Sequence, residues 1–503
     1  MPEANAIFRQ NRWEGGYADS LFLGMANSGW RVAGCEGRRF PRILQLQKRL
    51  LNQASTIITT QINDAIVASN GDSIAVGAAV AGDGKIYRRA AGANTWAVVY
   101  THTGSGDLYS VYEFNGYIVW SSADKIHRVA IANIATWATP DLNYKTLSTN
   151  NTHPKPMIEA FNKLYIGNGR YVDELDSNVL TWTTGKLTFA SDDAMRRITF
   201  SGSVMKFYCR KTSDARNEGW VFFWDGLSAS WNERTKIDGI FHCVTTMDNV
   251  DYFLAGHVPF LYRLDGLTPA KLRAIPQNTA SGVTDASTIV ANFYANAMAN
   301  LNGIIYFGSG LAVSGITGVD NTEVGVWSFG RLNINFQESL SFDFPSATAP
   351  TADSVIESTC LFVAEGMINI ASRSASAKFL YVTNPSAYQS TGEYECRVFD
   401  GNNGWQRKDS AKLAIAFFPL ATGEKIEIFL RKNLVASYGS AILTVDYSNT
   451  ADRDVTFKEL ILPWVGKEFN HTQFKIKLTA GTSNATTPKF LDIALFYHDI
   501  KVK

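Results

Sequence analysis

A turn-prone pair, flanked by short runs of aromatic and β-branched residues, recurs at Asn70, Asn115, Asn162, Ser201, Asn249, Asn302 and Glu365. The successive separations are 45, 47, 39, 48, 53 and 63 residues. Asn-Gly and similar pairs reach positive φ cheaply, so each marker reads as a tight turn between two antiparallel strands. A third strand follows each hairpin, in "KIYRRA", "KIHRVA", "YVDEL", "WVFFWDG", "PFLYRLDG", "VGVWSFG" and "YECRVFDG". The Asp-Gly pairs at Asp225, Asp265 and Asp400 read as the turn into a fourth strand, with Trp96, Trp137, Trp182, Trp231 and Trp405 in or near that outer strand. A large flat side chain there can cover the seam with the next unit. Four short antiparallel strands per period of this length are the signature of a β-propeller blade.

The expected fold class is therefore all-β: a propeller of about seven four-stranded blades over residues 59–409, with an extended N-terminal arm (1–58) and a C-terminal β-sandwich-like segment (410–503). A pair of β-sandwiches with similar hairpins is the alternative, because the fifth and sixth repeats lack the outer Trp and are longer. The insertions "TASGVTDAST" and "SATAPTADS" account for that length as surface loops.

The arm carries Phe8, Trp13, Tyr17, Leu21, Phe22 and Trp30, with glycines interrupting every pattern that could become a long helix. Such a segment buries its aromatics against something else, either its own propeller or a neighbouring subunit. Arg38, Arg39 and Arg42 form the only notable basic cluster, either a solvated loop or a salt-bridge patch against a partner. In "PRILQLQKRLLNQ", Pro41 suits a helix start and Ile43, Leu46 and Leu50 fall near one face, which predicts a short helix. From residue 410, six alternating runs ending in "KFLDIALFYHDIKVK" predict a small sandwich, although the last run could instead return to complete a blade.

Composition excludes several classes of function. With 47 Lys and Arg against 46 Asp and Glu, the net charge is +1, which argues against nucleic acid or an anionic membrane as the main partner. The longest apolar runs are about half a bilayer span, so no membrane insertion is expected. The start "MPEANAIFRQ" does not read as a secretory signal. The 5 Cys are scattered without C-x-x-C spacing, which fits folding in a reducing cytoplasm and argues against a zinc site or a disulfide framework.

No catalytic residue, metal site or cofactor is expected. Ser122 to Lys125 matches S-x-x-K, but the S-D-N and K-T-G companions are absent and the site falls in a hairpin. A propeller glycosidase would need two carboxylates at fixed separation, and Asp173, Glu174, Asp176, Asp192 and Asp193 do not select a pair. The 7 His residues are too spread along the chain to suggest a metal site.

The order of an aromatic Gly-broken arm ("NRWEGGYADSLFLGMANSGW"), a propeller and a β-segment ending in "TTPKFLDIALFYHD" resembles tail structural proteins of tailed bacteriophages, including propeller nozzle and tail-tip proteins. The local matches are the "GG" arm and the spacing of Pro488, Ile493 and Tyr497. The resemblance implies a non-enzymatic virion component made in the host cytoplasm. Its partners would be copies of itself in a sixfold ring, other tail proteins and, transiently, exiting DNA. A carbohydrate- or receptor-binding propeller is the alternative, with exposed Trp and Tyr stacking on sugar rings.

Overall fold

The computed structural model describes residues 6–15, 18, 28–40, 42–53, 58–178, 181–212, 218–237, 239–256, 259–275, 291–311, 325–345, 357–374, 378–400, 404–433, 438–462 and 468–500. The chain divides into two compact units, one of residues 51–326 with 349–382, the other of residues 1–50, 327–348 and 383–503.

The first unit is a seven-bladed propeller. Blade 1 contains Ile62–Val67, Ser73–Val80, Asp83–Arg89 and Ala97–His102, paired in that order and antiparallel throughout. Blades 2 to 5 repeat the pattern from Ser110–Phe114, Met157–Ala160, Asp193–Ser201 and Phe241–Met247 as innermost strands. Blade 6 opens with Met298–Leu301 and Ile304–Gly308, and blade 7 with Glu357–Ala364 and Met367–Arg373. Each innermost strand lies beside those of the two neighbouring blades, and the last, Glu357–Ala364, lies beside Ile62–Val67, so the ring closes.

The turn markers explain why the strands break where they do. Asn115, Asn162, Asn249, Asn302 and Glu365 all have positive φ, between 52° and 62°, and at the first marker the positive φ falls on Gly71, immediately after Asn70. At the fourth marker the positive φ falls on Gly202 and Ser203, immediately after Ser201. Asp225-Gly226 and Asp265-Gly266 connect third to fourth strands as expected, with Gly226 at φ 82° and Gly266 at φ 74°.

Stability comes from apolar seams between blades. Ile74, Val76 and Ile86 of blade 1 pack with Val111, Ile118 and Trp120 of blade 2. Tyr208, Val221 and Phe223 of blade 4 pack with Phe241, Val244 and Phe253 of blade 5. The outer tryptophans face backward: Trp96 of blade 1 meets Phe362 of blade 7 edge-on at 6.1 Å, and Trp182 of blade 3 donates from Nε1 to Thr146 O of blade 2. Trp96 and Trp182 cover the seam with the preceding blade rather than the next, whereas Trp405 lies in the second unit, is 95% exposed and covers no blade seam.

Blade 7 departs from the expectation. Its third strand is Lys378–Tyr388 and not "YECRVFDG"; Thr391–Cys396 belongs to the second unit. Its outer strand comes from the other end of the chain, Lys48–Asn52, and Gln53 N–H donates to Leu380 O at 2.9 Å. The short helix expected after Pro41 is thus replaced by strands Gln45–Leu46 and Lys48–Asn52. Leu44 and Leu46 are the buried apolar side chains, a spacing of two that suits a strand, whereas Ile43 and Leu50 of the expected helical face are only half-buried.

The second unit contains all six expected C-terminal strands, Lys408–Phe417, Lys425–Lys432, Leu443–Asp446, Phe457–Ile461, Thr472–Thr479 and Phe490–Asp499. They are joined by strands from elsewhere. One sheet runs Ala6–Gln10, Phe490–Asp499, Lys408–Phe417, Phe457–Ile461, so the final strand completes this sheet and no blade. In the other, Ser339–Pro345, Gly29–Ala33, Thr391–Cys396, Thr472–Thr479, Lys425–Lys432 and Leu443–Asp446 are successive neighbours. The contact-defined units therefore differ from divisions at 58 and 409: most of the arm is part of the sandwich.

Two buried histidines set a pH limit on the propeller. His102 and His127 meet edge-on at 4.4 Å, and His127 stacks on Trp120 at 5.5 Å. Asn143 N–H donates to His127 Nδ1, which fixes the proton on Nε2, facing Ser122 Oγ at 3.1 Å. Burial lowers both pKa values, that of His127 to about 3. Because the unfolded histidines take up protons first, stability is complete above pH ~6.5 and falls as pH drops toward 3. Urea midpoints should decrease between pH 7.5 and pH 5, and less so in a His127→Gln variant. Separately, Trp96→Ala should cost about 3–5 kcal/mol at the closing seam, read from the same unfolding curves.

Candidate functional site

Candidate residues gather in three places: the arm, the propeller channel and a groove on blades 4 and 5. In the arm, Phe8 lies on the strand Ala6–Gln10, with its ring 4.5 Å from Phe399 and stacked 6.0 Å from Phe474. Trp13, 1% exposed, fits edge-on between Tyr394 at 5.1 Å and Phe490 at 5.7 Å, one ring from each sheet. A Cβ at Gly37 would stand 2.5 Å from Trp13 Cβ, so glycine is what allows this approach. Trp30 is half-buried on the strand Gly29–Ala33, while Tyr17, Leu21 and Phe22 lie outside the described residues. Phe8 and Trp13 are thus spent inside their own chain.

The basic cluster separates into two kinds of arginine. Arg38 is buried and donates from Nη2 to Glu36 Oε2 at 3.2 Å, Ser328 Oγ at 3.0 Å and Asp343 Oδ1 at 3.3 Å. Gln47 Nε2 donates to the same Glu36 oxygen at 3.3 Å. Burial raises the Asp343 pKa, Arg38 pulls it down, and Glu36 pushes it up again. Arg39 and Arg42 are exposed on either side of the turn, beside Phe40, which is 47% exposed. Arg38 is therefore structural, and only Arg39 and Arg42 remain on the surface. Arg38→Met should leave two buried carboxylates facing each other and cost about 3–5 kcal/mol, checked by denaturant unfolding, whereas Arg39→Ala should change stability by under ~0.5 kcal/mol.

The channel is tied across by polar side chains. Arg197, on the innermost strand of blade 4, donates to Asn296 Oδ1, and Asn296 Nδ2 donates to Asn63 O of blade 1 at 2.6 Å. Beside Asn63, the Asp64 carboxylate accepts from Ala65 N–H at 3.0 Å and from Val111 N–H of blade 2 at 3.1 Å. Burial pushes the Asp64 pKa up to about 6 against the pull of Arg197. No local pattern marks this set, because its members come from four blades.

The carboxylates weighed for glycoside chemistry are individually engaged. Asp173 accepts from Gly185 N–H at 2.7 Å and from Ser148 N–H and Oγ at 3.0 and 3.1 Å. Glu174 pairs with Lys163 at 2.7 Å and Asp192 with Lys211 at 2.7 Å. Asp176 lies 3.7 Å from the same Lys163, and Asp193 is buried with its pKa raised by desolvation. As strand neighbours, Asp173 and Glu174 point to opposite faces and cannot share a substrate. Ser122 does meet a histidine, but His127 has both ring nitrogens engaged and a pKa too low for a general base at neutral pH. Among the described residues no group of three or more His, Cys, Asp or Glu could hold a metal ion, and no helix is long and apolar enough to cross a membrane.

A groove of about 410 Å³ opens on the turns of blades 4 and 5, lined by Phe223, Asp225, Asn232, Glu233, Asn249 and Asp265 among others. Asp225 accepts from Leu227 and Ser228 N–H at 2.9 Å each, which holds its pKa at about 2 and leaves Leu227 90% exposed at the rim.

No protein-family model and no curated protein matches the sequence. Solved structures with a similar shape include the WD40 β-propeller domain of Doa1 (14% identity, 68% of this chain and 97% of that one, TM-score 0.44). The Neurospora crassa Pan2 WD40 domain (7% identity, 68% and 98%, TM-score 0.41) and Saccharomyces cerevisiae Sqt1 (8% identity, 68% and 100%, TM-score 0.41) are further examples. The propeller assignment rests on the strand pairing and ring closure described above, and nothing those proteins do passes to this chain.

Proposed function

We propose that this protein is a non-enzymatic assembly component, of the kind that forms rings in the tails of tailed bacteriophages. The observation that carries this reading is the interleaved connectivity. The chain passes between the two units four times, at 50/51, 326/327, 348/349 and 382/383, and the strand that closes the ring arrives directly from the sandwich segment. Neither unit hangs on a single linker, which suits a part that transmits load. Buried polar ties in the channel and at Arg38 are saturated internally, as in a rigid body. The resemblance in layout adds the tail as the place and copies of the same chain as first partners, with other tail proteins beside them.

Since Phe8 and Trp13 are occupied, the assembly contact would use the exposed Arg39, Phe40 and Arg42 turn against an acidic surface of the neighbouring copy. Arg197 and Asn296 cross the propeller's own channel, so any DNA would pass through the lumen of the ring of subunits. Light scattering on the full-length protein should give a defined oligomer that dissociates in an Arg39→Glu, Arg42→Glu double variant. Truncation at residue 58 would be a poor substitute, because it also removes the closing strand Lys48–Asn52. A protein that stays monomeric over the whole concentration range and binds a glycan array would overturn the assembly reading. It would favour sugar binding at the groove of Phe223, Asn232 and Asn249 instead.

A further inference from the structure

A lysine with no exposed surface sits in the connection from blade 2 to blade 3. Lys155 Nζ donates to three oxygens: Asn151 Oδ1 at 2.6 Å, Asn151 O at 2.9 Å and His153 O at 3.1 Å. The Tyr109 ring covers it, with the centroid 5.0 Å away. No carboxylate is within ion-pair distance among the described residues; the ammonium is held by these dipoles, with only the more distant Asp173 and Asp124 favouring its charged form. Burial lowers its pKa to about 7, which leaves a substantial fraction as free amine at neutral pH.

The Asn151 side chain is held as an acyl donor would need to be. Its Oδ1 accepts from His153 N–H at 3.0 Å in addition to Lys155, so a negative charge developing there meets a fixed backbone donor. Its Nδ2 donates to Asn168 Oδ1 at 2.8 Å, which fixes the amide plane and holds the group that would leave. Asn168 Nδ2 in turn faces Ser148 Oγ at 3.3 Å, and Ser148 Oγ donates to Asp173 Oδ2 at 3.1 Å. Asn168 and Asp173 are both fully buried.

We infer that Lys155 and Asn151 form an intramolecular isopeptide bond. On losing a proton the amine gives up one of its three hydrogen bonds, and the lone pair so freed attacks Asn151 Cγ from a face of the amide. The oxyanion is stabilised by His153 N–H. The Cγ–Nδ2 bond then breaks, one proton passes from Nζ to Nδ2, and ammonia leaves; the product is a secondary amide, with no oxidant, reductant or co-reactant required. Close approach in a water-excluded site replaces the activation that an enzyme would otherwise supply. Asp173 acts as a positioning residue, through Ser148 and Asn168.

Intact mass spectrometry of the full-length protein, after incubation at pH 8, tests this. The expected species is lighter than the sequence mass by one ammonia. Trypsin does not cut before Pro156, so positions 151 and 155 stay in one peptide, 146–163. The deficit should lie in that peptide, survive mild base that opens a succinimide, and suppress backbone fragments between 151 and 155. An Asn151 succinimide would also lose ammonia, so Lys155→Met and Asn151→Ala are compared: the isopeptide requires both residues, whereas a succinimide persists in Lys155→Met. Full sequence mass, a deficit that is lost in mild base, or one that survives in Lys155→Met overturns the proposal. The base stability and fragmentation of the wild-type peptide decide the point if a variant fails to fold.

Discussion

Everything in the propeller depends on the seam where its last blade meets its first. Each blade is a sheet with two apolar faces, and each face is covered only by its neighbour. A row of such sheets always leaves two faces in water unless the row bends into a circle. Here the circle is held by main-chain pairing of Lys48–Asn52 with the strand from Lys378, and by a seam in which Tyr87 and Trp96 pack with Phe362, Ala371 and Leu380. The strand that closes it belongs to neither repeat by sequence order, so the outer edge of blade 7 is sealed by a segment synthesised before blade 1.

Local features of this fold were legible in the sequence, and distant ones were not. Asn115, Asn162, Asn249 and Asn302 announce their turns because positive φ is a local demand that few residues meet cheaply. Glu365 occupies the same conformation followed by Gly366, and the flanking hydrophobic runs identify it. By contrast, nothing near Leu44 or Leu50 says that their partners lie more than three hundred residues away, and the local apolar spacing happened to suit a helix. The same reason hid the true third strand of blade 7. "YECRVFDG" has the right composition for a blade, yet Tyr394 is claimed by Trp13 in the sandwich.

The candidate site was less legible still. Trp13 could be seen to need a hydrophobic partner, but not which one. Arg38, Arg39 and Arg42 look alike in sequence, and only the approach of Glu36 and Asp343 separates the buried arginine from the two at the surface. Lys155 carried no motif at all, since its surroundings come from the turn that contains it, from Tyr109 and from the strand ending at Asn168. Buried polar clusters of this kind depend on complete hydrogen bonding, and that is a property of the folded backbone rather than of residue order.

The pairing of Ala6–Gln10 with Phe490–Asp499 has a consequence for biosynthesis. The strand Ala6–Gln10 finds its partner only when Phe490–Asp499 has emerged, and until then its edge and the rings of Phe8 and Trp13 stay uncovered. Long-range pairing of this sort is slow and exposes nascent chains to aggregation. Blades 1 to 5 can assemble from neighbours as they appear, but this sheet must wait for Phe490–Asp499. A chain cut short before Phe490 would therefore have most of its blades formed while Ala6–Gln10 stays unprotected, a ready substrate for chaperones and proteases.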